Sequence, residues 1–172
     1  DYGAAEVAAY RNQVLDEVVP VAAGLRKQQA ARLGLEGLEF CDEGLEFPSG
    51  NATPKGDAAW LLEQGKRLYR DLSPETAEFF SMRTERGRLD LETKPGKASG
   101  GYCEYLGSWE APFIFSNWNG TSGDVDVLTH EVGHAFQAWR SRGFRAPDYF
   151  FPTYEACEIH SMSMEFLAWP WM

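Results

Sequence analysis

The sequence predicts a mainly α-helical chain with one small β-sheet. Three observations carry this. Apolar residues recur at spacings of three and four over residues 2–33, 57–71, 124–142 and 153–169, the period of a helix with one buried face. Helix-start chemistry precedes one of these runs and a further one at residues 73–86. Between residues 87 and 123 the pattern changes to Gly, aromatic and turn-forming residues that enclose two short extended runs.

Taken in order, Tyr2 to Leu33 carries Val7, Tyr10, Val14, Val18, Val21 and Leu25 at helical spacing. Pro20 interrupts the run, which predicts a kink or two helices in series. Residues 34–56 are rich in Gly and Pro and predict a loop with one or two short extended pieces. Asp57 to Asp71 reads as a helix with Ala58, Leu61, Leu62, Leu68 and Tyr69 inward. Ser73-Pro74-Glu75 supplies an N-cap, a first-turn proline and an acid against the dipole; that helix runs to about Arg86. Strands are expected over 101–106 and 111–118. Asp124 opens a helix to about Arg142 with an apolar stripe of Val125, Leu128, Val132, Ala135, Phe136 and Trp139. Pro147 and Pro152 bound a loop, and a last helix is expected from Thr153 to Trp169, with Ile159, Met162, Phe166 and Trp169 as its packing stripe.

Composition narrows the function. With 44% hydrophobic and 14% aromatic residues in 172, the chain can enclose a core and is not disordered. No apolar run is long enough to span a bilayer, and no signal peptide opens the chain. A net charge of −10 argues against nucleic acid as partner. The cysteines Cys41, Cys103 and Cys157 have no tight spacing and read as reduced thiols of a cytoplasmic protein. The start at Asp1 and the end in Trp169-Pro170-Trp171-Met172 read as a piece of a longer protein.

The chemistry concentrates at His130-Glu131-Val132-Gly133-His134. Positions i and i+4 share a helix face. Two of the chain's three histidines can therefore reach a single Zn²⁺, with Glu131 left beside it as a base. A catalytic zinc wants a third protein ligand. On the expected last helix, Glu155, Glu158 and Glu165 fall at i, i+3 and i+10 on one face, and spacing does not choose among them. They read equally as solvated glutamates. Cys157 lies beside them, and a glutamate suits the third position better.

Longer strings now bear on the choice. Gly100-Gly101-Tyr102-Cys103, residues 111–117 (APFIFSN), residues 119–124 (NGTSGD), residues 130–137 (HEVGHAFQ) and residues 154–162 (YEACEIHSM) together resemble the zinc peptidase family of thimet oligopeptidase and oligoendopeptidase F. The oligoendopeptidase F branch is the nearer. The first hundred residues resemble it more loosely, chiefly at Phe47-Pro48-Ser49-Gly50-Asn51.

The resemblance implies a zincin-like catalytic core at 97–172, preceded by a helical segment at 1–96 and belonging to a larger helical peptidase. It implies one Zn²⁺ per chain, held by His130, His134 and Glu158, with Glu131 as general base and an unstructured oligopeptide as substrate. Glu155 and Glu165 become neighbours that tune the site. Asp126, four residues before His130, is either an acceptor for an imidazole N–H or a partner of the helix dipole. The strand of Phe113, Ile114, Phe115, Ser116 and Asn117 is expected beside the site, as an edge for an extended substrate or as core. His160 reads as a packing or hydrogen-bonding residue. The Tyr and His donors that stabilise the oxyanion in the family lie beyond this chain, and Tyr149 and Tyr154 do not match them. The chain is therefore expected to hold zinc and to hydrolyse peptides weakly or not at all. The alternative is a catalytically dead helical metal-binding or interaction domain.

Overall fold

The computed structural model describes residues 2–171. The chain divides into two compact units, Asp1–Asn51 and Ala52–Met172.

The first unit is helical. α1 (Ala4–Gln13) and α2 (Val19–Leu33) run in series through a π-helical turn, Val14–Val18. Pro20 has no N–H for the carbonyl of Asp16, and a widened turn just before a proline absorbs the missing bond. Gly34 closes α2 in the left-handed conformation, φ 76°, with Leu35 N–H returning to the Ala30 carbonyl at 2.9 Å, a glycine C-terminus. The buried Gln29 amide donates to the carbonyls of Glu43 and Leu45 at 3.1 and 2.8 Å and holds the loop that follows. Residues 34–56 contain only a 3₁₀ turn, Phe40–Asp42, among the described residues. The expected extended pieces are not there, because side chain–backbone bonds of this kind satisfy the loop instead.

The second unit holds the core. α3 (Ala58–Leu72) starts on Asp57, whose carboxylate accepts Trp60 N–H at 2.9 Å. α4 (Pro74–Glu85) starts on Ser73, whose Oγ accepts Thr76 N–H at 3.1 Å. The two helices pack closely at Gly65, where a Cβ would lie 2.9 Å from the Phe80 ring. Tyr69, Phe79, Phe80, Ile114, Leu128 and Val132 form the centre of the apolar cluster.

β1 (Leu89–Glu92), β2 (Tyr102–Leu106) and β3 (Ala111–Trp118) make one sheet in the order β1-β3-β2. β2 and β3 pair antiparallel, and β1 pairs with β3 in parallel. β1 was not expected; it is four residues, two of them acidic, too short and too charged to show a strand pattern. β3 is the central strand, so the edge role expected of Phe113–Asn117 is corrected: its backbone is engaged on both sides. Buried Arg83 ties α4 to this strand by donating to the Pro112 carbonyl at 2.6 Å.

α5 (Gly123–Ser141) follows a loop built by its own motif. The Asp124 carboxylate accepts the N–H groups of Asn119 and Gly120 at 3.1 and 2.7 Å, and Gly120 takes φ 86°. On α5 the expected stripe is buried at Leu128, Val132, Ala135 and Trp139, with Val125 and Phe136 packed at its margin.

α6 spans Ile159–Ala168, six residues shorter at its start than expected. After Pro152 the chain makes turns rather than a helix, so Glu155 lies outside α6 and the shared helical face of three glutamates does not exist. The expected packing stripe is also corrected. Ile159, Met162, Phe166 and Trp169 are exposed, and α6 packs through the small face of Ser161, Met164 and Ala168. That choice is dictated by Gly133. A Cβ there would stand 2.6 Å from Ser161 Cα and 2.9 Å from the His160 carbonyl oxygen, so α5 and α6 meet backbone to backbone.

Candidate metal centre

The close α5–α6 approach brings the site together. His130 and His134 project from one face of α5, one turn apart. Glu158 is the N-cap of α6, so its side chain swings out toward α5 rather than following the helix. His130 Nε2 lies 3.1 Å from Glu158 Oε2, His134 Nε2 lies 3.2 Å from the same oxygen, and the two Nε2 atoms are 3.1 Å apart. These three residues form a His/His/Glu group able to hold a metal ion.

The donor set fits a zinc ion. Bonds of about 2.0–2.1 Å at tetrahedral angles set neighbouring ligand atoms about 3.3 Å apart, close to the observed triangle. His130 Nδ1–H donates to Glu165 Oε1 at 2.6 Å, which leaves Nε2 as a lone pair facing a carboxylate. Two electron donors so placed repel unless a cation stands between them.

Each ligand has its own support. Glu165 meets His130 through that bond. Asp126 does not take that position; partial desolvation of its carboxyl, then the nearby Glu165 charge, raise it above its ordinary range. His134 Nδ1 lies 2.9 Å from His160 Nε2. Ser161, wholly buried, donates its hydroxyl to Glu158 Oε2 at 2.7 Å. That bond is the main cause holding the Glu158 carboxyl below its ordinary range, with His134 and His130 acting in the same direction. Ser161, Gly133 and His160 were not assigned to the site from sequence; only the Glu-x-x-Ser spacing pointed toward the first.

Glu131 lies on the buried side of α5, 8% exposed, with Oε2 enclosed and unpartnered among the described residues. Burial raises its carboxyl above the ordinary range, His130 opposes this, and Glu158 adds to it.

A cleft of about 810 Å³ opens over the group, lined by β2 from Tyr102 to Tyr105, by His130, Glu131 and His134, and by Glu158 and His160. The β3 residues Phe113 to Asn117 do not line it. Ile114 is core at 1% exposed. Phe115 stacks behind Tyr102 at 5.0 Å between ring centres, and Asn117 donates to the carbonyls of Ala98 and Gly100 at 2.8 Å each. They support β2 from behind.

Comparison with known proteins identifies the family of the chain. No curated protein matches the chain. Among solved structures, a Bacillus anthracis (strain Ames) protein named for oligoendopeptidase F shares 62% identity and a TM-score of 0.96, over all of this chain and 32% of that one. A PZ peptidase A solved with an inhibitor shares 58% identity and a TM-score of 0.96, over all of this chain and 31% of that one. A further structure named for oligoendopeptidase F shares 57% and 0.96, over all of this chain and 30% of that one. The chain thus spans about a third of the length of the solved structures it matches. The model of peptidase family M3 matches residues 75–170, the stretch that contains the sheet, both site helices and every residue of the His/His/Glu group; the chain belongs to peptidase family M3.

Proposed function

We propose that this chain carries the metal centre of a zinc-dependent endopeptidase that hydrolyses peptide bonds in oligopeptides. The observation that carries the reading is the triangle of His130 Nε2, His134 Nε2 and Glu158 Oε2 beside the buried Glu131 carboxylate. One Zn²⁺ per chain would be held by those three residues. When bound, it supplies Lewis-acid polarisation of the substrate carbonyl and lowers the pKa of a water to about 7.

Glu131 then acts as the base. It accepts a proton as water attacks the carbonyl carbon, and it delivers that proton to the amine nitrogen as the C–N bond breaks. Glu165 and Ser161 keep the His130 ring and the Glu158 carboxylate in place. β2, the sheet edge lining the cleft, offers its free backbone groups to an extended peptide, giving affinity with little side-chain selectivity. The functional division falls near residue 97, with 97–172 as the centre and 1–96 preceding it.

Because the chain spans about a third of the relatives' length, full turnover is proposed for the longer protein and not for this stretch alone. This stretch by itself is proposed to hold zinc and to hydrolyse peptides weakly or not at all. The exposed α6 stripe of Ile159, Met162 and Phe166 suits burial against the remainder of that protein. No helix among the described residues is long and apolar enough to cross a membrane; a cytoplasmic location is proposed from the free cysteines.

The test is elemental analysis of wild-type chain, His134→Ala and Glu131→Gln, with peptide hydrolysis measured for Glu131→Gln in the longer enzyme. One zinc in wild type and Glu131→Gln, none in His134→Ala, and a fall in kcat of about 10²–10⁴-fold support the reading. Unchanged kcat in Glu131→Gln rejects the base.

A further inference from the structure

The two ligand histidines are supported differently. His130 Nδ1 meets a carboxylate, Glu165 Oε1, at 2.6 Å. His134 Nδ1 meets a third imidazole, His160 Nε2, at 2.9 Å. The three rings form a row, with centroids 4.8 and 4.9 Å apart and planes crossed at 77° and 75°. Crossed planes at this spacing let a ring nitrogen of one imidazole aim its lone pair at the N–H of the next, which stacked rings cannot do.

We propose that His160 is a positioning residue for His134: its Nε2 accepts the Nδ1–H of His134 and fixes the tautomer and ring angle that aim the His134 Nε2 lone pair at the metal position between His130 Nε2 and Glu158 Oε2. The inference rests on the metal-centre reading above and adds a residue to it. Direction follows from the neighbours. His134 Nε2 faces Glu158 Oε2 and the bare Nε2 of His130, so its own lone pair is what a cation there requires, and its one proton belongs on Nδ1. His160 must then accept on Nε2 and carry its proton on Nδ1. The chain holds this acceptor by backbone: the His160 carbonyl oxygen lies against Gly133, on the turn between the two ligands, so the position of His160 relative to His134 is set by the α5–α6 seam.

A neutral acceptor supports a ligand less strongly than a carboxylate does. The geometry therefore makes His134 the less strongly supported ligand of the pair.

The experiment measures zinc affinity of the full chain by chelator competition for wild type, His160→Ala and His160→Gln, with NMR of the His134 Nδ1–H in the zinc-loaded chain. Loss of a residue that orients a ligand typically weakens the metal by about 10–100-fold, and that loss is expected for His160→Ala. Gln places an acceptor oxygen near the position of the imidazole Nε2 and is expected to recover most of it. The zinc-loaded wild type is expected to show a His134 Nδ1–H held in its hydrogen bond and slow to exchange, and zinc-loaded His160→Ala to show that proton exchanging rapidly with solvent. Equal zinc affinity in wild type and His160→Ala overturns the proposal, as does a glutamine variant no better than alanine. A wild-type chain that takes up no zinc overturns the metal centre itself, an outcome distinct from equal zinc affinity in wild type and variant.

Discussion

Helices α2 and α5 have the same kind of sequence and opposite fates. The run through α1 and α2 carries Val7, Tyr10, Val14, Val18, Val21 and Leu25 at spacings of three and four, as the 19-residue α5 carries its own stripe. In α5 the stripe disappears into the core, with Val132 at 1% and Ala135 at 0% exposed. In the α1–α2 run, Tyr10 and Leu25 remain 67% and 60% exposed, and the buried residues of α2 are Gln29 and Ala30. A helical period therefore says which residues share a face; it does not say that anything covers the face. What covers α5 is a sheet on one side and, at Gly133, a second helix backbone. The metal centre sits where that covering is tightest.

The largest effect that sharpens this contrast is expected at Trp139, which packs against Phe79 at 5.4 Å between ring centres. Trp139→Ala is expected to cost about 3–5 kcal/mol, measured as a lower urea midpoint. Next comes the seam itself. Gly133→Ala is expected to cost about 1–3 kcal/mol from forced overpacking, although alanine in an open helix gains about 1 kcal/mol over glycine, and to weaken zinc binding as Glu158 and His160 are pushed away. A Gly133→Ala chain of raised stability and unchanged zinc affinity would break the account of why these helices meet.

A third test uses pH. Burial, followed by the Glu131 charge, pushes the Cys103 thiol from 9.0 up to about 12, and burial alone raises the Tyr69 hydroxyl. Both groups hold their protons longer folded than unfolded. Above about pH 9 the unfolded chain gives up protons that the folded chain keeps, so stability falls as pH rises from about 9 toward 12. Urea midpoints between pH 8 and 11 should show this decline, and Cys103→Ala should delay its onset; a flat profile would contradict it. The smallest effect is expected at the other pole of the comparison. Leu25→Ala, on the exposed face of α2, is expected to change stability by no more than about 0.5 kcal/mol.

How much of this was legible in the sequence follows from what each feature depends on. The His130–His134 pair and Glu131 depend only on helical spacing inside one segment, so the motif states them outright. Glu158 did not follow from spacing; the match of residues 154–162 to a family pattern selected it, because the pairing of α5 with α6 is a tertiary fact. The start of α6 was misplaced because periodicity runs straight through the turns after Pro152, and this also hid the meaning of His160. In a helix from Thr153, two residues past Glu158 means the opposite face. With Glu158 as an N-cap, both side chains reach His134. The packing face of α6 differs from the expected stripe because the close approach to Gly133 is made by the Ser161 and His160 backbone and Met164 Cβ, not by the larger exposed apolar residues. The placement of β3 at the centre of the sheet depends on β1, whose charged four residues give no strand signal, and with it went the edge role of Phe113–Asn117.

The central claim is that two imidazoles from α5 and one carboxylate from the start of α6 share one metal ion. Anomalous diffraction at the zinc edge, on crystals of the chain loaded with one equivalent of Zn²⁺, tests it most directly. One peak is expected about 2.0–2.2 Å from His130 Nε2, His134 Nε2 and a Glu158 carboxylate oxygen. A peak coordinated by the histidines with Glu155 or Cys157 in place of Glu158, or no peak at this group, would contradict the account.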